Sequence, residues 1–423
     1  MTRRQTYPLK AVLLAALAVA AVSCEDEDNE ILQGNWYNTY QYFPGTPRGG
    51  AVCFQLEYEG EKRAFIGTGA NTNKTEDMER YRDFYMCSMG ENGLPVWTAR
   101  YAKLLNKNES AAGSINGKNE EGKKASEAVC SMPNTFSYEN GDTVTKVYDC
   151  PARNGAVAFS LKIGGKPYGF VGLGYDGTNY LKDFWRYDPE TNSWSRVADY
   201  PGDAVRYASA FVIGNRAYVG GGEDFDNNIL GDFYAYDAES DKWVDGGAGQ
   251  AMATCGVPRA QAAAFVCNGK GYLYGGINGN AIDILERYDP ATNSWEQMRR
   301  LSDASRDTYD DLYVGLAAYG TTAFVLNDGT DDCRAYVTTG GSVGSGKLTW
   351  EYNPKYDYWV PKTSFEGDPR KFAVSFVLDG TDGQEVGFVT TGSTSELTVS
   401  GSGGSFYADC FMWQPQAPYE HRD

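Results

Sequence analysis

The stretch Ala217–Trp243, AYVGGGEDFDNNILGDFYAYDAESDKW, decides the fold. A short apolar run ends in glycine, a loop rich in Asp and Asn follows, then an aromatic run and a closing tryptophan. The order returns at Tyr272–Trp295, YLYGGINGNAIDILERYDPATNSW. Short alternating apolar runs, separated by turn pairs such as Asp-Pro and Thr-Asn, predict β-strands. Recurrence at a period near fifty residues predicts stacked supersecondary units.

The terminal glycines are Gly69, Gly174, Gly222, Gly276, Gly340 and Gly392, separated by 105, 48, 54, 64 and 52 residues. The closing tryptophans are Trp36, Trp97, Trp194, Trp243, Trp295 and Trp359, so one precedes the first glycine and none follows the last. Four such strands make a twisted sheet that is apolar on both faces. Radial stacking buries both faces and leaves few open edges. The reading is all-β, with six blades of four antiparallel strands.

These residues resemble the kelch repeat, whose double glycine, third-strand tyrosine and fourth-strand tryptophan build a propeller blade. The match is strong over Gly169–Trp194, Val219–Trp243 and Tyr272–Trp295; around Gly69, Gly340 and Gly392 the double glycine degrades to GTG or TTG. The resemblance runs from Trp36 to Trp413 apart from insertions. Phe406, Tyr407, Phe411 and Trp413 read as the third strand of a sixth blade that lacks its fourth. The segment NWYNTYQYFPGTPR reproduces the missing strand, so residues 35–43 are expected beside 406–413, closing the ring.

Ahead of the propeller, Arg3, Arg4 and Lys10 precede the apolar run Ala11–Val22, an export signal too short to span a membrane. Its end, Ala21-Val22-Ser23-Cys24, resembles a bacterial lipobox. Residues 1–23 are then a lipoprotein signal peptide, Cys24 the lipidated first residue and 24–34 an acidic tether. The acidic run EDEDNE resembles the surface-export signal of Bacteroidetes lipoproteins, which implies an outer-membrane protein displayed outward; a periplasm-facing anchor is the other option. Residues 35–423 form the propeller, with an insertion at about 98–150 read as a flexible or partly helical cap.

Removing the three basic residues of the signal leaves 35 basic against 56 acidic groups, a formal charge of −21. Such a surface repels nucleic acid and anionic headgroups. Eight cysteines follow Cys24. Cys130 and Cys150 could staple the insertion, Cys255 and Cys267 flank a first strand, and Cys53 and Cys87 read as buried thiols. The one histidine, His421, lies three residues from the end. That excludes histidine triads and the copper chemistry of galactose oxidase, a kelch enzyme whose name such sequences attract. Asp226, Asn227 and Asn228 cluster without completing a calcium loop, so neither metal nor cofactor is expected.

Arginines recur just before the first strand of five units: Arg48, Arg153, Arg206, Arg259 and Arg370 lie five or six residues ahead of Phe54, Phe159, Phe211, Phe265 and Phe376. The kelch resemblance implies a channel mouth lined by them, suited to an acidic ligand; the alternative is a repeated structural ion pair. Tyr180, Asp224 and Asn227 are expected on the same rim. Two functions follow. The first is a monomeric, non-catalytic envelope protein binding a glycan or protein partner. The second, by resemblance, is a sugar-acid mutarotase like that for sialic acid, with Glu223 or Asp224 as the acid–base group.

Overall fold

The computed structural model describes residues 34–72, 78–98, 130–131, 135–140, 144–149, 151–244, 252–301, 317–341, 346–397 and 404–417. Six four-stranded antiparallel sheets stand around one axis, and among the described residues there is no α-helix. The signal segment, Cys24 and the acidic run lie outside the described residues.

From axis to rim, blade 1 is Val52–Tyr58, Glu61–Gly67, Asp83–Met89 and Pro95–Thr98, and blade 2 is Val157–Ile163, Lys166–Gly172, Phe184–Asp188 and Ser193–Val197. Blade 3 is Ser209–Ile213, Arg216–Gly220, Phe233–Asp237 and Lys242–Val244; blade 4 is Ala263–Cys267, Lys270–Tyr274, Leu285–Asp289 and Ser294–Gln297. Blade 5 is Thr322–Leu326, Arg334–Thr338, Thr349–Asn353 and Tyr358–Lys362. Blade 6 is Val374–Asp379, Glu385–Thr390 and Cys410–Gln414, completed by Asn35–Asn38 from the other end of the chain. The molecule is a six-bladed propeller.

The ring closes through the expected segments, and the structure supplies the register. Asn35, Trp36, Tyr37 and Asn38 pair with Gln414, Trp413, Met412 and Phe411. The zip continues through hydrogen bonds from the backbone N–H of Thr39, Phe43 and Arg48 to the carbonyls of Cys410, Ala408 and Tyr407. Trp36 is fully buried against Trp413 and Phe365, with ring centroids 5.0 and 5.2 Å away, and donates from Nε1 to Thr349 of blade 5.

Aromatic stacking holds each blade and joins it to the next. The repeated inner-strand phenylalanine stacks on a second-strand ring in every blade, for example Phe54 on Phe65 at 5.1 Å and Phe265 on Tyr272 at 5.0 Å. For blades 1 to 4 a third-strand tyrosine of the following blade then packs on that pair, as Tyr187 does on Phe65 at 5.3 Å, and Trp413 takes this place on blade 5. The same tyrosine caps its own turn. Tyr187, Tyr236, Tyr288 and Tyr352 donate to Asn192, Asp241, Asn293 and Asp357, which all adopt a left-handed φ near the turn before the outer strand. The tryptophan two residues later clamps the linker from the preceding blade: Trp243, Trp295 and Trp359 donate from Nε1 to the carbonyls of Ala198, Ala253 and Arg299.

Near the axis the blades are tied by two closed cycles of backbone hydrogen bonds. In the first, the N–H of each terminal glycine donates to the next blade: Gly69 to Arg153, Gly174 to Val205, Gly222 to Arg259, Gly276 to Ala318, Gly340 to Arg370 and Gly392 to Arg48. In the second, each peptide donates to the one before it, running Gly50, Gly155, Tyr207, Gln261, Gly320, Phe372 and back to Gly50. The first cycle explains the invariance of the glycine. At Gly222, φ is 96° and a Cβ would fall 2.9 Å from the Arg206 carbonyl oxygen.

The described part of the insertion is a hairpin, Thr135–Asn140/Val144–Asp149, with Cys130–Ser131 paired to blade 1; the polar core, read as a flexible or partly helical cap, and Cys150 lie outside the described residues. The cysteine pairing left open by the sequence is Cys267 with Cys333, joining the inner strand of blade 4 to blade 5 with Cα atoms 6.4 Å apart. Cys255 is a buried free thiol whose pKa is pushed up to about 12, by burial first and then by Glu286. Cys87 is buried and free, as read; Cys53 is free and half-buried, lining the axial cavity.

Two outcomes are expected. Trp36→Ala loses about 3–5 kcal/mol in denaturant titration, because a filled site at the ring closure is emptied, whereas Val96→Ala on the exposed outer strand changes little. The second concerns alkali. Burial, then neighbouring Tyr218, pushes Tyr288 up to about 12, and burial raises Tyr236 and Tyr352 as well. These phenols hold more protons folded than unfolded above about pH 10. Their contribution to stability is therefore complete below that pH and lost as pH climbs toward the folded values. Tyrosinate absorbance should rise together with the loss of β-sheet circular dichroism, and early ionisation with the sheet intact would contradict it.

Candidate functional site

Four of the five repeated arginines are structural. Arg48, Arg153, Arg259 and Arg370 are at most 2% exposed. Each donates from Nε to the carbonyl two residues back and from Nη1, at 3.1 Å, to the carbonyl just before the terminal glycine, at Thr68, Leu173, Gly275 and Thr391 respectively. The rest of each guanidinium meets a carboxylate of its own blade: Asp83, Asp183, Glu286 or Asp409. Burial would raise the Asp183 pKa, but Arg153 and the Trp185 N–H outweigh it and hold it below the usual carboxylate value. A guanidinium so enclosed has no donor to offer at the surface. The expected ring of ligand-binding arginines is corrected: these side chains brace the turn that carries the inter-blade glycine.

Arg206 differs by one residue. Gly174 donates to the Val205 carbonyl, as the other glycines donate to Arg48, Arg153, Arg259 and Arg370, so Val205 takes the structural place in blade 3 and Ala318 takes it in blade 5. Arg206 belongs to the next position, with Gly49, Asn154, Ala260, Tyr319 and Lys371. These six pair with Glu223, Ala70, Tyr175, Ile277, Gly341 and Ser393 across the mouth. The signal was present in the spacing, since Arg206 is five residues before its phenylalanine and the structural four are six before theirs.

Around Arg206 the structure assembles a shelf. Arg206 donates from Nη2 to Glu223 at 3.0 Å and lies over Tyr180, Tyr207 and Tyr175. Tyr175, Tyr180 and Phe225 follow one another edge to face at 5.3 and 5.7 Å, and Phe225 is 68% exposed. Arg80, which sequence reasoning missed, arrives from the Met78–Arg80 strand of blade 1. It stacks on Tyr175 at 4.6 Å and donates from Nε to Asn154. Burial pulls its pKa below the ordinary arginine value, with Tyr175 and Tyr207 opposing. Arg80 Nη2 and Arg206 Nε are buried and have no hydrogen-bond partner among the described residues. Two guanidiniums with open donors beside stacked rings suit an anionic or hydroxyl-rich ligand.

Tyr180, Arg206 and Glu223 are thus brought together, whereas Asp224 and Asn227 serve the turn. Asp224 accepts from the N–H groups of Asp226 and Asn228 and from the Asn228 amide, which lower its pKa, while Asn227 supplies a left-handed φ of 63°. Asp224 is corrected from acid–base candidate to turn cap.

The axis beyond the mouth is narrow, lined by small residues such as Ala51, Ala156, Ala208, Ala262 and Ala373 around a cavity of about 230 Å³. The mouth itself is covered. After the second strand of blade 6 the chain turns inward, and Leu397, 1% exposed, packs with Tyr207, Ala260 and Phe372. Tyr207 donates to the Leu397 carbonyl at 3.4 Å, while Glu396 accepts from Tyr319 at 2.9 Å and pairs with Lys371. An apolar plug flanked by two polar clusters stands where an open arginine ring was expected.

Residues 107–309 match the KLHDC2/KLHL20/DRC7 Kelch-repeats domain. The repeats of this stretch are kelch repeats. Kelch-like protein 24 of Rattus norvegicus is 38% identical over 110 residues, covering 25% of this chain and 16% of that protein. N-acetylneuraminate epimerase 1 of Escherichia coli O6:H1 is 30% identical over 132 residues, 30% of this chain and 33% of the epimerase. The F-box/kelch-repeat protein At1g67480 of Arabidopsis thaliana is 33% identical over 116 residues, covering 27% and 29%. The matched stretch therefore spans a third or less of these relatives. The kelch signature is accounted for here by the glycine cycle, the tyrosine–Asx cap and the tryptophan clamp.

The two arginine classes of this kelch propeller should separate in measurement. Arg259→Met strands the buried Glu286 carboxylate and is expected to cost about 3–5 kcal/mol. Arg206→Met leaves Glu223, whose side chain keeps 13% exposure against 4% for Glu286, in partial contact with water and should cost less. Equal losses in urea unfolding would contradict the assignment.

Proposed function

We propose that this protein is a non-catalytic binding module of the cell envelope, anchored through lipidated Cys24, that holds a glycan or protein ligand on the shelf of blades 1–3. The observation that carries this reading is the pair of buried, open donors on Arg80 and Arg206 beside the exposed run Tyr175, Tyr180 and Phe225. Stacked aromatics bind a sugar face or a peptide side chain, and the guanidiniums orient its carboxylate or hydroxyls. The shelf stands on rigid elements, because the Arg206 and Glu223 backbones are paired. A kelch propeller as scaffold supports a binding role, and the acidic surface turns the ligand toward this local cluster of cations. Cys24→Ala is expected to release the protein from the membrane fraction.

One observation favours a second reading. Glu223 lies 3.0 Å from Arg206 and 3.5 Å from the Tyr180 hydroxyl, an acid beside a cation and a phenol, and N-acetylneuraminate epimerase 1 is among the relatives. A sugar-acid mutarotase would use Glu223 to relay the anomeric hydroxyl proton to the ring oxygen as the ring C–O bond opens, and to reverse the transfer as the bond re-forms on the other face, with no metal needed.

A glycan-array screen, followed by titration of hits, tests both. Arg80→Ala, Arg206→Ala and Tyr180→Ala should each weaken binding about tenfold or more, since each removes an interaction worth about 1.4 kcal/mol or more. Unchanged affinity in all three folded variants moves the site off the shelf. NMR of sialic acid anomers decides catalysis: enhanced interconversion that disappears in Glu223→Gln establishes the mutarotase in place of the pure binder.

A further inference from the structure

The loop Ser393–Leu397 lies across the mouth and meets the shelf at Tyr207. Ser393 bridges Lys371 and Phe406, and Thr394 and Ser405 exchange two hydrogen bonds, so the base of the loop is fixed. Its tip is held differently. The Glu396 carboxylate takes the Tyr319 hydroxyl and the Lys371 ammonium, its side chain still 41% exposed, while Leu397 sinks into the hollow of Tyr207, Ala260 and Phe372. A partly wet carboxylate on a cation and a phenol, next to an aliphatic side chain in an aromatic hollow, is how an acidic peptide would be held.

The hollow is itself unusual. The inner cycle needs a left-handed residue in every blade: three blades use Gly50, Gly155 and Gly320, blade 4 uses Gln261 at φ 61°, and blades 3 and 6 put the aromatic residues Tyr207 and Phe372 there, both at φ 57°. Their rings stack at 5.3 Å beneath Leu397. Bulky residues in that conformation are strained, and strain kept where glycine would relieve it points to a use for the side chains. Beside the loop, a cavity of about 870 Å³ lined by Tyr319, Lys371, Ser393 and Thr394 adjoins the place of a docked segment on the side of blades 5 and 6.

We propose that the mouth is a peptide site occupied by the chain itself: Glu396-Leu397 is a built-in ligand, displaced by a partner segment in which an acidic residue precedes an aliphatic one. Lys371 and Tyr319 receive the acid, the Tyr207–Phe372 pair receives the aliphatic side chain, and the Tyr207 hydroxyl donates to its carbonyl. The shelf and the mouth share Tyr207, but Lys371, Tyr319 and Phe372 belong to the mouth alone and Arg80, Arg206 and Tyr180 to the shelf alone, so variants at those residues separate the two sites.

The probe is the acetylated, amidated hexapeptide STSELT, the sequence of Ser393–Thr398, followed by fluorescence polarisation on the full-length protein. The double variant Glu396→Gln, Leu397→Ala empties the site and should bind the probe at least tenfold more tightly than the unaltered protein. Adding Lys371→Met, or using the probe STSQLT, should lower that affinity about tenfold. No binding to the double variant, or equal binding to both proteins, overturns the proposal when circular dichroism shows the variant folded. Should the variant not fold, hydrogen exchange on the unaltered protein decides. Segment 393–397 must exchange at least tenfold faster than the inner strand Val52–Tyr58 and slow down in excess STSELT; protection equal to that strand, or no response to the probe, overturns it.

Discussion

Closure of the ring depends on two nested cycles of backbone hydrogen bonds at the mouth. A sheet of four strands has two edges and two apolar faces, and six such sheets form a stable body only if the last meets the first in register. The glycine cycle enforces that register, because each terminal glycine can reach the next blade's carbonyl only with φ near 92–111°. The inner cycle narrows the axis to six mutually bonded peptides. Small channel residues, aromatic stacks between blades and the N-terminal strand in blade 6 all serve this geometry.

What recurs six times along such a chain is what the cycles require. The arginine of blades 1, 2, 4 and 6 belongs to that class: it fastens the carbonyl ahead of the glycine and pairs with an acid of its own blade. The position one residue on is free of this duty and is filled by Gly49, Asn154, Arg206, Ala260, Tyr319 and Lys371. Chemistry specific to this protein sits there, in one cluster around Arg206 and another around Lys371. Repetition marks the scaffold, and departure from repetition marks the site.

The same division explains the electrostatics. Across an acidic surface, most arginines near the mouth are neutralised inside the blades, so they contribute bracing and almost no outward field. Among the described residues, Arg80 Nη2 and Arg206 Nε are left unpaired, because Glu223 satisfies only part of the Arg206 guanidinium and Arg80 has no carboxylate hydrogen-bonded to it. Strain follows as well. Left-handed Tyr207 and Phe372 are tolerated because the inner cycle holds their backbones, and they place two rings at the one point where all six blades converge.

The blade count, the strand order and the closing role of the segment around Trp36 were legible from the chain alone, because each is written in local periodicity and in residues that repeat. Tyr180, Arg206 and Glu223 were legible as neighbours of one rim. The interior fate of Arg48, Arg153, Arg259 and Arg370, the pairing of Cys267 with Cys333, the arrival of Arg80 beside Tyr175 and the burial of Leu397 at the axis were decided only by tertiary structure. Local pattern determines which face of a strand a residue takes. Whether a charge meets an acid within its own blade or an empty place at the mouth depends on a one-residue offset that acquires meaning only when six blades are closed around an axis.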